Sequence, residues 1–344
     1  MVQDVVNIMK AIAPGKLILS GEHAAVYGRP ALAMAIDRSA VSTIHAEPGN
    51  RVSIDLQDLN EKDSFTLRTL RDVKSRVFRN YQLFLQGDLG IREVLYKPIE
   101  LFEYAFITVL DGLHLKLTDG LSIQTRSNIP IGCGMGSSAA TILSTLRAVG
   151  HYFRVEFRPD WYYRYSMEVE KIQHGYPSGV DSFISLHGGC ALFQNGAASS
   201  VPLPRSTLYL VNTGRPDTTT GECVQRVKQQ FGEDTIWNDF EAVTLSMKEG
   251  FINRNDEVIR DAIRENHRLL TRLGVTPEPV QAFIREVEAQ GGAAKTSGAG
   301  AVQGNQGGAV LVVADEPPVD LCKRHGYSMT ALRGDPLGTR IIEE

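Results

Sequence analysis

The sequence predicts an α+β protein in two domains, and three observations carry that expectation. Strand-like alternation and helix-like spacing mix in both halves of the chain, without the regular β-α-β repeat of a doubly wound sheet. At 344 residues and 42% hydrophobic content, the chain is long enough for two domains and a substantial core. Between 195 and 206, "NGAASSVPLPRS" is small, polar and proline-containing, the composition of a boundary, and divides the chain into 1–195 and 206–344.

Taken in order, "IMKAIAPGKLILSGEHAAVYGRPALAMAI" (8–36) opens with two apolar runs separated by turn residues, a strand, a loop, and a second strand or helix. "VSTIHAEP" (41–48) and "RVSIDLQD" (51–58) alternate as strands. Pro98 starts a helix with Glu100 and Glu103 expected in its first turn, where a helix dipole favours negative charge. "LSIQTRS" (121–127) is a strand, and "DWYYRYSMEVEKIQH" (160–174) is a helix stopped by Gly175 and Pro177. In the second half, "TLYLVNTG" (207–214) and "GAVLVVAD" (308–315) read as strands around three helical stretches in 221–290.

The net charge of −4 does not favour a polyanionic partner. The densest basic run, "RTLRDVKSRVFRN" (68–80), spaces its cations as a solvated helix face does, which argues against nucleic acid. The four cysteines, 133, 190, 223 and 322, lack metal-ligand spacing and read as reduced thiols of a cytoplasmic protein. No stretch reaches the roughly 18 uninterrupted apolar residues of a membrane span, and no signal-type apolar segment opens the chain.

One stretch raises a chemical question. "IPIGCGMGSSAA" (129–140) is a glycine-rich turn running into "AATILSTLRAVGHYF", whose apolar spacing starts a helix near Ser137. Such a turn points free backbone N–H groups at one spot, where the helix dipole adds partial positive charge: an anion site. Gly132, Gly134 and Gly136 would let the chain approach a polyphosphate, and Ser137 and Ser138 sit where a hydroxyl caps the helix or reaches a metal ion. No lysine follows Gly136, so this is not the usual phosphate loop, and the spacing does not match the dinucleotide fingerprint. The cation must come from elsewhere in the chain.

Three further stretches stand out, each with an ordinary explanation when taken alone. "APGKLILSGEHAAVYG" (13–28) places Lys16 in a Pro-Gly turn, where a lysine is most often solvated. "EVEKIQHGYPSGVDSFISLHGG" (168–189) sets Glu170 on a helix and Asp181 where an aspartate would most often cap the next one. "GGAAKTSGAGAVQGNQGGAVLVV" (291–313) is a second glycine-rich loop, by itself a flexible hairpin connection.

Together and in this order, "APGKLILSGEHAAVYG", "IPIGCGMGSSAA", "HGYPSGVD" and "KTSGAG" resemble the GHMP kinases, and the resemblance reaches both halves of the chain. It implies two α+β domains with ATP and acceptor in the cleft between them, and it makes the anion the triphosphate of ATP. Gly132, Gly134, Gly136, Ser137, Ser138 and Ala139 would then cradle the nucleotide, with Ser297, Gly298, Ala299 and Gly300 as a second phosphate loop. Ser138 and Glu170 match magnesium ligands, Asp181 the catalytic base, and Lys16 the cation beside it. Glu22, His23 and Thr220 match acceptor contacts, Thr220 only across a gap.

Within the family, "GEHAAVYG" with "HGYPSGVD" resembles the members acting on mevalonate, and "NHRLLTRLGV" (266–275) is similar to their late helix. The resemblance leaves open a homodimer and implies neither nucleic acid nor membrane as a partner. The third motif departs from that pattern: Ala301, Val302 and Gln303 interrupt the glycine run, and Asn305 stands in an unmatched "GNQGG". The rivals are a phosphomevalonate or sugar kinase of the same family, a decarboxylase relative, and a silent metabolite sensor. A sensor would have lost metal or base residues, and Lys16, Ser138, Glu170 and Asp181 are all present.

Overall fold

A computed structural model describes residues 8–130, 134–205 and 207–342. The long strand β1 (Met9–Ser20) pairs antiparallel with β2 (Ala31–Glu47), which absorbs both the apolar run after Pro30 and the alternating "VSTIHAE". After β3 (Arg51–Leu56) and β4 (Glu61–Thr66), helices α1 (Leu67–Gln86) and α2 (Ile99–Gly112) lead to β5 (Gly120–Ser127). That strand inserts between β2, antiparallel, and β3, parallel. The helices α3 (Ser137–Tyr152), α4 (Pro159–His174) and α5 (Val180–His187) follow, and then the hairpin of β6 (Cys190–Gln194) and β7 (Ala197–Val201), whose first strand pairs with β2.

Beyond residue 206 the chain builds a second sheet from β8 (Leu208–Asn212), β9 (Ala293–Ser297), β10 (Ala309–Val313) and β11 (Ser328–Leu332), in the order β11-β8-β10-β9. Four helices, not three, occupy the intervening segment: α6 (Thr220–Phe231), α7 (Ile236–Asn253), α8 (Asp256–Arg272) and α9 (Glu278–Ala289), while α10 (Val319–His325) precedes β11. One of the breaks between them falls at Arg254, whose left-handed backbone ends α7, and at Asn255, whose side chain caps α8. The chain then returns to the first sheet, where β12 (Arg340–Ile342) pairs with β1 and Gly334 bridges Ile36.

Expected helix faces hold for α1, whose Leu70, Val77 and Tyr81 are buried while most of its cations stay outside. They do not hold for α2, in which every residue from Ile99 to Leu110 is buried. Only Glu100 lies in its first turn, and Glu103 is 2% exposed inside the protein rather than facing water. Leu17 and Met34 from the first sheet share one continuous apolar cluster with Phe240, Met247, Leu270 and Leu311 from the second half.

Candidate active site

Lys16 is not in a turn. Pro14 and Gly15 lie within β1, where the pairing register with β2 shifts between Pro14 and Lys16, and this irregularity re-aims the lysine. The side chain is buried, at 3% exposure for the residue. Its ammonium donates to the carbonyl of Gly134 at 2.9 Å and pairs with Asp181 Oδ1 at 3.1 Å. The cation that the glycine turn itself lacks therefore reaches it from β1.

Asp181 is the second residue of α5, and Gly179 occupies the cap position with no side-chain cap bond. The capping explanation for this aspartate fails, and its carboxylate faces Lys16 instead. Gly136 caps α3 in a left-handed conformation (φ 66°), again without a side-chain bond, so neither Ser137 nor Ser138 is a helix cap. A Cβ at Gly136 would stand 2.9 Å from Lys16 Cγ and 3.6 Å from Asp181 Oδ2, so glycine is needed for conformation and space alike.

Two residues along, Ser138 Oγ donates to Glu170 Oε1 at 2.7 Å, and His174 Nε2 lies 3.3 Å from the same hydroxyl. Glu170 is 3% exposed, and burial raises its pKa, opposed by His174 and the Ser138 bond. The glycine turn meets the third motif directly: a Cβ at Gly134 would come 3.2 Å from Gly298 Cα. Of the remaining turn residues, Ala139 is fully buried and Gly132 lies outside the described residues.

Within electrostatic reach of Lys16, Glu22 and Lys295 form an ion pair whose side chains are 1% and 0% exposed. Burial pushes the Glu22 carboxyl up and the Lys295 ammonium down, each partner opposing the other's shift. His23 Nε2 bonds the Ala299 carbonyl at 2.9 Å, and Ser297 Oγ donates to the Ile18 carbonyl at 3.0 Å. These contacts bring 16–23 and 295–299 together across the two halves of the chain. Gly300 accepts from Cys223 Sγ at 3.5 Å.

Thr220 is not drawn in. It is exposed on the first turn of α6, while Thr219 caps that helix in a reciprocal box with Glu222. The nearby threonine that meets the third loop is Thr218, whose Oγ1 accepts from the Val302 N–H at 3.4 Å, and Thr213 Oγ1 accepts from the Gly307 N–H further along it at 2.9 Å. Sequence reading also passed over Lys295 and His174. A lysine inside the short run "AAKTS", flanked by small residues that all turn out buried, was the available signal for the first.

Comparison with known proteins follows the same lines. Residues 100–189, which hold α3, α4, Ser138, Glu170 and Asp181, match the model of the GHMP kinases N terminal domain, and the class is that of ATP-using small-molecule kinases. The mevalonate kinase of Archaeoglobus fulgidus is 30% identical over 298 residues, covering 85% of this chain and 89% of that protein. The mevalonate kinase of Thermococcus sibiricus is 28% identical over 355 residues, covering 97% of this chain and 96% of that protein. A crystal structure of mevalonate kinase superposes with a TM-score of 0.77 at 25% identity, covering 95% of this chain and 99% of that one. The chain belongs to the mevalonate kinase family of the GHMP kinases.

Proposed function

We infer that the protein transfers the terminal phosphoryl group of ATP to the primary hydroxyl of mevalonate, giving 5-phosphomevalonate for isoprenoid precursor biosynthesis. The observation that carries this reading is the Lys16–Asp181 pair at 3.1 Å, set against the glycine turn that begins α3. Phosphoryl transfer has a loose transition state, so positioning and charge neutralisation supply most of the catalysis. Asp181 accepts the proton of the acceptor hydroxyl. A carboxylate is a weak base for a free alcohol, but the proton need leave only late, as the new P–O bond forms. Lys16 stands beside the forming alkoxide and also holds the Gly134 carbonyl of the glycine turn.

Magnesium fits the donor set. Ser138 and Glu170 offer oxygen to a hard cation that keeps phosphate and water as its other ligands, so a cage of three or more protein groups, absent among the described residues, is not required. When bound, the ion neutralises charge on the β- and γ-phosphates. Glu22 and His23 line the acceptor side, where Glu22 Oε2 and His23 Nδ1 are buried without protein partners. We place the protein in the cytoplasm; no helix among the described residues is long and apolar enough to cross a membrane.

The test is ADP release measured by a coupled assay with mevalonate, phosphomevalonate and several sugars, with the product identified by mass spectrometry. Turnover of mevalonate to the 5-phosphate is expected. Turnover of phosphomevalonate or a sugar, with mevalonate ignored, would sink the acceptor assignment.

A further inference from the structure

His174 belongs to none of the roles given above, yet it is the third polar group at the Ser138–Glu170 pair. It is the last residue of α4, and its side chain is 37% exposed. Its Nε2 lies 3.3 Å from Ser138 Oγ and 3.7 Å from Glu170 Oε2, so only the serine is within hydrogen-bond reach. The end of α4 is pinned from α1: Tyr81 donates its hydroxyl to the Gly175 carbonyl at 3.1 Å, and the Phe84 ring stands 5.7 Å from that of Tyr176. The two residues that follow the histidine are thus packed in place.

Counting donors fixes the arrangement. Ser138 has one proton, and the carboxylate of Glu170 accepts it at 2.7 Å. The imidazole must then be the donor, with its proton on Nε2, and it occupies one of the two lone pairs of Ser138 Oγ. One lone pair is left. Without the histidine, a hydroxyl rotor has one fixed contact and two free lone pairs. With it, all but one of the directions around the oxygen are used.

We propose that His174 is a positioning residue that orients the Ser138 hydroxyl, so that its remaining lone pair faces the magnesium ion of the nucleotide complex. This rests on the assignment of Ser138 and Glu170 as metal ligands. The ordinary alternative is a histidine at a helix C-terminus that interacts only with the helix dipole. The two differ in what the imidazole donor does to a metal ligand, an outer contact whose loss typically weakens metal binding by roughly 10–100-fold.

The experiment measures Mn2+ affinity by electron paramagnetic resonance, on the full chain saturated with a non-hydrolysable ATP analogue, together with melting temperature. His174→Gln places an amide N–H near the Nε2 position, whereas the shorter His174→Asn reaches only the Nδ1 position. Weakening by roughly 10-fold or more in His174→Asn, near wild-type affinity in His174→Gln, and unchanged melting of both are expected. Ser138→Ala and Glu170→Gln serve as the reference for a lost ligand. If those two weaken Mn2+ binding but His174→Asn does not, the histidine is no positioning residue and the metal site stands. If none of the four changes Mn2+ affinity, the metal assignment falls and the proposal with it. Equal loss in both histidine variants, with lowered melting, returns His174 to a structural role.

Discussion

Two lysine–carboxylate pairs lie within electrostatic reach of each other in this protein, and they are built differently. Lys16–Asp181 is open on one side: the lysine side chain is 4% exposed and the aspartate 35%. Lys295–Glu22 is sealed, and it joins residues 273 positions apart, one in each half of the chain. An open pair keeps one partner where a substrate proton can reach it. A sealed pair gains little net stability over apolar packing, because desolvation offsets the attraction, but it is costly to break from one side. The first suits chemistry, and the second fixes where Glu22 and the third motif stand relative to each other.

The comparison breaks most visibly at Asp181. Asp181→Asn keeps shape and hydrogen bonding and touches no helix cap, so folding is expected to be unaffected while turnover falls by roughly 10²- to 10⁴-fold. Steady-state kinetics with thermal melting on the same sample checks both halves of this statement. A variant retaining most of its activity would leave the open pair without a function.

For the sealed pair the expected loss is in stability. Lys295→Met strands a buried carboxylate and should cost about 3–5 kcal/mol in a denaturant titration, whereas adding Glu22→Gln should restore much of it. Activity is not expected to return with the double substitution, since it removes the carboxylate proposed to contact the acceptor. Equal instability of single and double variants would mean that the attraction between the two charges is not what Lys295 supplies.

A smaller effect sharpens the contrast by showing burial without a dedicated partner. Glu103 is buried and its Oε2 lacks a hydrogen bond, because Arg76 engages Glu100 at 2.8 Å instead. Burial, with Glu100 and Asp63 nearby, raises its carboxyl from 4.5 to about 7. A raised acid binds its proton more tightly when folded, so its contribution is full below the unfolded value and is lost as pH rises through about 7. Melting temperature should therefore fall between about pH 5 and 8 in the wild type, and less steeply in Glu103→Gln. A parallel pH dependence in both would show that Glu103 does not titrate in that range.

The open pair was more legible in the sequence than the sealed one, for a physical reason. Glycines at 134 and 136, a helix starting at 137 and a carboxylate on α4 are local patterns, because each is set by backbone conformation over a few residues. Motif resemblance then singled out Lys16 and Asp181 from two distant segments, although a Pro-Gly pair inside a strand disguised the first as a turn residue. Lys295 stood in view within "KTSGAG" and read as part of a loop, because nothing local marks its partner as Glu22. A fourth helix between 220 and 289 went uncounted although its caps are local, whereas the burial of Glu103 is decided by tertiary packing. Thr220, placed by resemblance across a gap, lies exposed two residues from Thr218, which bonds the N–H of Val302 just past the third motif.

The path of the chain between its two sheets has one more consequence. It crosses after β7 and crosses back after β11, and the two crossings touch, Leu203 lying against Gly334. From there Asp335 and Thr339 hydrogen-bond into the first sheet and α5, through Ala35, Gly189 and Leu186. Helices α7 and α8 meanwhile bury their apolar residues in the same cluster as β1 and β2. To pull the sheets apart would wet that common interior and undo β12 at the same time. The two sheets are therefore expected to unfold as one cooperative unit, and neither is a module that could be cut out and expected to fold alone.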